Sequence, residues 1–176
     1  PDNTIVQTLK RELDEPDPKA VTTTRRQELA ELSLQQIQDP LKKALSLGQF
    51  YRSSGQNDKA KEQLEKAVGI APNDIQAGSE YFAFVLDQKD IKSAETIYQK
   101  IRGLNPDGCE GNLMAAQIEI AKENYPTALR RLDECLAIRP SMSLAVVLKS
   151  RIYLLQKNYS EAVDSAKSAF EMDPQS

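Results

Sequence analysis

The sequence predicts an all-α fold, an α-solenoid in which antiparallel helix pairs stack one on the next. Two kinds of residue recur along most of the chain with one shared period, which we call the repeat length. The prolines with this spacing are Pro72, Pro106, Pro140 and Pro174, and the alanines are Ala60, Ala94, Ala128 and Ala162. Each period divides into two helical stretches around a short polar turn, and no strand is predicted.

Composition excludes several classes of protein. The chain has 176 residues, of which 40% are hydrophobic and 28% are charged, enough to bury a core. Its net charge of −3 argues against a general nucleic-acid binder, which usually carries a strong basic excess. It has no histidine, so catalytic and metal sites that need histidine are excluded. No apolar run is long enough to span a bilayer. We therefore expect no catalytic residues, no metal site, no cofactor and no membrane insertion.

Residues 1–40 are less regular than the rest, and we interpret them as a degenerate repeat whose turn is lengthened. Helices are predicted over Thr4–Asp14 and Thr24–Gln38, with a proline-containing break between them. The second of these helices is predicted to turn Leu29, Leu32 and Ile37 inward. An unrelated N-terminal cap of two helices is the alternative.

Residues 41–74, 75–108, 109–142 and 143–176 form four predicted repeats, aligned without insertion or deletion so that each proline takes position 32. In the last repeat the helices are predicted near Leu144–Gln156 and Ser160–Met172. The alanine at position 20 lets the second helix approach the first closely. The proline ends the second helix, because it has no N–H and restricts the residue before it. At position 16, Asp90, Asn124 and Asn158 suit N-capping of the second helix.

These repeats resemble the tetratricopeptide repeat (TPR) family. The resemblance is clearest in Leu47-Gly48-Gln49-Phe50-Tyr51, Gly55, Ala60, Leu64, Ala67 and Pro72. It implies a TPR-type solenoid whose helix pairs form a right-handed superhelix, with the first helix of each pair lining a concave groove. One departure is Phe82, which is large for position 8 and indicates local repacking in the second repeat.

In this family the groove contacts come mostly from positions 2, 5, 9, 12 and 13 of each repeat. Carried over, the predicted partner-binding residues are Leu45, Gln49, Arg52, Leu86, Leu113, Gln117, Ile120, Leu144, Val147, Arg151 and Leu154. The groove becomes apolar toward the last two repeats, which favours docking of a helix or peptide. The alternative is that these apolar residues pack against a further repeat.

Some TPR domains bind the C-terminal carboxylates of chaperones through a Lys/Asn/Arg clamp, and this chain lacks one. Aligned from the first repeat, the clamp positions hold Leu45, Gln49, Glu80, Glu110 and Met114. Two carboxylates would meet the ligand's carboxylate, so binding of chaperone tails is not expected.

The sequence therefore favours a non-catalytic scaffold that binds a peptide or helix of a partner protein in the concave groove. A second hypothesis is a recruitment or regulatory arm of a larger enzyme or of a bacterial secretion or exopolysaccharide assembly. A third is a self-associating structural module, a homo-oligomer joined through the last repeat, whose inward residues Ala162, Ala166, Ala169 and Phe170 have no following repeat to cover them. Because the chain starts and stops in phase with the repeat, we expect it to be a segment of a longer repeat protein. A cytoplasmic and a bacterial periplasmic location both fit.

The two cysteines, Cys109 and Cys135, are too few for a disulfide scaffold. Small residues predominate at position 27, so Cys135 is expected to be a small core residue without a disulfide or metal role.

Overall fold

The computed structural model describes Gln7 and residues 23–173, and every regular element in that part of the chain is a helix. Gln7 is helical, and the rest of the predicted helix Thr4–Asp14 lies outside the described residues. The helices are α1 (Thr23–Gln35), α2 (Pro40–Ser53), α3 (Asn57–Ile70), α4 (Ile75–Asp87), α5 (Ile91–Leu104), α6 (Cys109–Ala121), α7 (Tyr125–Ile138), α8 (Ser143–Leu155) and α9 (Tyr159–Met172).

The predicted all-α fold class is confirmed for the described residues. Helix α1 ends before the predicted limit of Gln38, because Gln36 and Ile37 turn back onto α1 through 3₁₀-type bonds. Helices α8 and α9 begin within one residue of the predicted starts. The three residues predicted to point inward are only partly confirmed. Leu29 is buried, whereas Leu32 and Ile37, which follows the end of α1, are half-buried.

The chain divides into two compact units, Pro1–Tyr81 and Phe82–Ser176, with the boundary inside α4. In the first unit α2 packs against both α1 and α3. Ala60 of α3 is fully buried, and a Cβ on Gly48 of α2 would come within 2.7 Å of Leu64. Small residues at these two points therefore set how closely α2 and α3 approach.

The buried Tyr51 ties α2 to α1. Its hydroxyl donates a hydrogen bond of 2.7 Å to Oε1 of Glu31. Burial, together with this bond to a carboxylate, raises the pKa of Tyr51 to about 12. Tyr51 is therefore a neutral donor at physiological pH.

In the second unit the pairs α6/α7 and α8/α9 pack tightly, and α8 also packs on α7 and touches α6. One apolar cluster joins these three helices. Its buried members are Cys109, Leu113, Ala116, Ile120, Ala128, Leu132, Cys135, Ala145, Leu148 and Ile152. The core of this unit is thus shared between one helix pair and the first helix of the next pair.

The turn inside each helix pair uses one residue with a left-handed backbone. The first turn has Gly55 at φ 73°, which glycine adopts without steric cost. The three later turns have side-chain-bearing residues there: Lys89 at φ 60°, Glu123 at φ 60° and Lys157 at φ 63°. The turn geometry is therefore repeated, although its preferred residue is not.

The predicted N-caps are confirmed at one of three sites. Oδ1 of Asp90 accepts a hydrogen bond from the backbone N–H of Ser93, at 3.0 Å. Asn124 and Asn158 stand at the same point but make no side-chain cap bond. The side-chain amide nitrogen of Asn124 donates a hydrogen bond to Oε2 of Glu119.

The expectation that Cys135 takes no part in a disulfide was wrong. Cys109, at the start of α6, and Cys135, on α7, form a disulfide, with their Cα atoms 4.5 Å apart. Both residues are fully buried. Their separation of 26 positions in sequence did not indicate contact, because the contact depends on how the two helices pair.

Candidate functional site

Three of the eleven predicted partner-binding residues belong to the core. Leu45, Leu113 and Ile120 are only 6–8% exposed. The expectation that they line an open groove was wrong for these side chains. Leu113 and Ile120 pack in the cluster shared by α6, α7 and α8, so they are covered by this chain itself.

The predicted residues of the first unit form a small polar group. Gln49 is exposed, and its amide donates a hydrogen bond of 2.6 Å to Oε1 of Glu80. Arg52 is half-buried, with a guanidinium nitrogen 4.0 Å from the other oxygen of Glu80. The carboxylate of Glu80 is therefore held by this chain's own side chains.

The remaining predicted residues lie in the second unit. Leu86 on α4 and Gln117 on α6 are half-buried. The four on α8 are exposed: Leu144, Val147, Arg151 and Leu154. Exposed apolar side chains of the predicted set are therefore concentrated on α8.

A cleft between α8 and α9 gathers most of these exposed residues. We call it the α8/α9 cleft. It encloses about 380 Å³, within the range of ligand-binding clefts. Its lining residues are Val147, Ser150, Arg151, Leu154, Ala166, Ala169, Phe170 and Asp173. Apolar side chains dominate, with Leu154 53% and Phe170 63% exposed.

This cleft unites residues that the sequence assigned to two separate hypotheses. Val147, Arg151 and Leu154 were predicted for a groove, whereas Ala166, Ala169 and Phe170 were predicted for a self-association face. The sequence did not indicate Ser150 and Asp173 as lining residues. Ser150 stands one repeat length after a buried alanine of the preceding pair, and that correspondence was the signal that could have identified it.

Ser150, a buried residue that lines the cleft, links α8 to α9. Its hydroxyl is buried and donates a hydrogen bond of 2.8 Å to the backbone carbonyl of Ala162. A serine at this point lets α8 and α9 approach closely and leaves no unpaired polar atom in the floor. The cleft is therefore a preformed apolar surface between two helices bonded to each other.

A larger cavity of about 610 Å³ lies along α5, α6 and α7, and its lining is mostly polar. Nζ of Lys122 donates a hydrogen bond of 2.6 Å to Oε1 of Glu95, which raises the pKa of Lys122. A guanidinium nitrogen of Arg102 lies 2.9 Å from the hydroxyl oxygen of Tyr98. Lys122 and Glu95 thus pair with each other, and Arg102 with Tyr98, within the lining of this cavity.

Among the described residues no group of His, Cys, Asp and Glu side chains could hold a metal ion. A helix with the length and apolar character needed to cross a membrane is likewise absent from residues 23–173.

Comparison with known proteins identifies the repeat. The family model described as "Tetratricopeptide repeat" matches residues 44–74 and 145–176. The first match covers most of α2 and all of α3, and the second covers α9 and most of α8. The α8/α9 cleft therefore lies on a matched repeat.

Similar proteins extend this result. The chain is 26% identical, over 130 residues, to human "Protein O-mannosyl-transferase TMTC1". That match covers 74% of this chain and 15% of the human protein. Among solved structures, "MamA 41-end from Desulfovibrio magneticus RS-1" aligns with a TM-score of 0.57 and 12% identity, covering 97% of this chain and 94% of that one. "Crystal structure of MamA protein" aligns with a TM-score of 0.56 and 18% identity, covering 98% and 92%. The structural likeness concerns the fold.

Residues 44–74 and 145–176 are thus recognised as tetratricopeptide repeats, and the described part of the chain has the corresponding all-α fold.

Proposed function

We propose that this chain is a non-catalytic scaffold that binds a helix or peptide of a partner protein through the α8/α9 cleft. The observation that carries the proposal is the preformed cleft itself, with exposed Val147, Leu154 and Phe170 around it. Contiguous exposed apolar surface on a folded domain usually marks an interaction site. TPR proteins as a class bind protein partners, which agrees with this reading.

In the second unit, Leu144 and Arg151 extend the surface of α8, and Leu86 and Gln117 stay predicted half-buried contacts. Gln49 and Arg52 stay predicted contacts within the first unit. Leu45, Leu113 and Ile120 are left out, because their side chains are covered within the chain.

A second candidate is a recruitment arm of a larger enzyme. It is favoured by the match to the human protein named as an O-mannosyl-transferase, of which the aligned part is 15%. In that case the cleft would bring a protein substrate or regulator to a catalytic domain elsewhere. Binding through the cleft is common to both candidates.

The test of the scaffold proposal is capture of partners from the lysate of the source organism, read by mass spectrometry. The bait is the full chain, compared with the double variant Val147→Glu/Leu154→Glu, which places two charges in the cleft. The matched control is Leu104→Glu/Ile138→Glu, since both residues are exposed apolar side chains outside the cleft.

We expect a partner retained by the wild-type and control chains and lost from the cleft variant. Identical lists from all three baits would contradict the proposal. Circular dichroism of each bait establishes that its helices are intact.

A further inference from the structure

The α8/α9 cleft is the repeated counterpart of a face that is covered inside this chain. On the α6/α7 pair that face belongs to the buried cluster that α8 also enters. Residues one repeat length further along the sequence occupy the equivalent positions of the α8/α9 pair, and several of them line the cleft. Leu113, Ala116, Ile120, Leu132, Cys135 and Leu136 become Val147, Ser150, Leu154, Ala166, Ala169 and Phe170. Six of the eight lining residues therefore have a counterpart in that cluster.

The chain itself shows which element covers such a face. Helix α8 packs on the α6/α7 pair and places Ala145, Leu148 and Ile152 in the shared cluster. These residues lie on one side of α8, because they are three and four positions apart. The covering element is thus an amphipathic helix with a small residue followed by two larger ones.

The same spacing recurs in α6, which packs on α5. There the residues are Gly111, Met114 and Ile118, and all three are buried. Together α6 and α8 give one rule: glycine or alanine, then leucine or methionine three positions later, then isoleucine seven positions after the small residue.

We propose that the α8/α9 cleft binds a helix of a partner protein that follows this rule, docked on α8 and α9 as α8 is docked on α6 and α7. The inference rests on the proposed function and specifies its ligand. The small residue permits close approach to the cleft, and the two larger side chains fill it.

Within the described part of the chain, a second copy has no such helix to offer. Helices α6 and α8, which follow the rule, are already packed on α5 and α7. On α4, Ala77 and Phe84 stand at the first and third positions of the rule, and both are buried as well. Supplying any of these helices to a neighbour would require the donor to unfold, so the described helices of a second copy are not the proposed ligand.

The test uses a synthetic peptide with the sequence of residues 141–157, which contains the natural covering helix. A lactam bridge between positions 147 and 151 stabilises the helix, because peptides of this length are marginally helical in water. A fluorophore on its N-terminus reports binding to the full chain by anisotropy. We expect saturable binding that the chain variant Val147→Glu/Leu154→Glu loses and the control Leu104→Glu/Ile138→Glu keeps.

Two peptide variants test the rule itself. Leu148→Glu/Ile152→Glu in the peptide removes both large residues of the pattern and should weaken binding by tenfold or more, because two apolar side chains that would be buried are replaced by charges. Ser150→Glu/Leu154→Glu adds the same two charges, four positions apart, on the opposite side of the helix. It should keep the affinity of the parent peptide within about twofold, a difference well under about 1 kcal/mol.

Equal weakening by both peptide variants would overturn the rule, because any apolar helix would then bind; the scaffold proposal would stand. No binding of the parent peptide, with a cellular partner still lost from the cleft variant, would also overturn the rule and leave the scaffold intact. If the chain alone forms a dimer in sedimentation that Val147→Glu/Leu154→Glu abolishes, the occupant is a second copy and the inference is wrong.

Discussion

The α6/α7 and α8/α9 pairs occupy equivalent positions one repeat length apart, yet their equivalent faces differ in burial. Leu113 is 6% exposed, and its counterpart Val147 is 42% exposed. Ile120 and Leu154 differ in the same way, at 8% and 53%. All four side chains are apolar, so their chemistry does not explain the difference in exposure. It arises because α8 covers the face of the α6/α7 pair, whereas α8 is itself part of the face of the α8/α9 pair. In a repeat fold the environment of a residue is set by its neighbour as much as by its own position.

The largest effect expected from this comparison is on stability. Leu113→Ala should lower the free energy of unfolding by about 2–5 kcal/mol, because it leaves a cavity in a packed core. Val147→Ala, at the equivalent position, should change it by less than about 1 kcal/mol, because the side chain is already partly in water. Urea denaturation followed by circular dichroism measures both. Equal losses would mean that the α8/α9 face is covered in solution.

The disulfide is a second difference between the two pairs. Reduction of Cys109–Cys135 should lower the free energy of unfolding by roughly 3.5 kcal/mol, the loop-closure value for a sequence separation of 26 residues. The double variant Cys109→Ala/Cys135→Ala serves as the control, since a reducing agent should not alter its stability. Unfolding of both proteins with and without the reductant gives the comparison.

The disulfide can also be transferred to the other pair. Ser143 and Ala169 stand at the positions equivalent to the two cysteines. Ser143→Cys/Ala169→Cys should form a second disulfide and give a comparable gain, measured against its own reduced form. Failure to oxidise, judged by titration of free thiols, would mean that the two pairs differ in backbone geometry as well as in cover.

A smaller effect is expected at the turns, where the two pairs should behave alike. Glu123→Gly and Lys157→Gly should each raise stability by about 0.5–1 kcal/mol, because glycine removes the cost of a left-handed backbone at φ 60° and 63°. Thermal melts of the two single variants test this. A gain in one turn alone would indicate that the turns are not equivalent, and Gly55→Ala supplies the reverse change in the first turn.

The smallest effect at neutral pH concerns Tyr51, outside both pairs. Its pKa is raised to about 12 by burial and by its bond to Glu31, so its stabilising contribution is complete below pH 10. The contribution is lost as the pH rises from 10 through 12, because the unfolded phenol ionises first. Tyr51→Phe should remove this dependence. Chemical denaturation across that pH range measures it, and a flat profile in the wild-type chain would rule it out.

The repeat pattern predicted most of the helical architecture. Prolines and polar turns placed the starts of α8 and α9 within one residue of where they lie, because local backbone chemistry determines those points. Burial of Ala60, Ala94, Ala128 and Ala162 also followed from position alone.

The candidate site was less predictable. The burial of Leu113 and Ile120 depends on α8, which lies across them, and position within one repeat does not contain that contact. The Cys109–Cys135 disulfide was missed for a similar reason, since it depends on the pairing of α6 with α7. The sequence did indicate an apolar surface on α8, because that surface depends only on the residues of α8 itself.

The match between the α8/α9 cleft and the covered face of α6/α7 has a consequence for how such genes can lengthen. A tandem duplication of one repeat length of codons, taken from the region of α8 and α9, would encode a helix that already carries Ala145, Leu148 and Ile152 in the right register. The new helix would meet a surface that accepts that register without further substitutions. Growth by unequal crossing-over would thus yield a folded product in one genetic event, whereas insertions of other lengths would place the pattern on the wrong side of the helix.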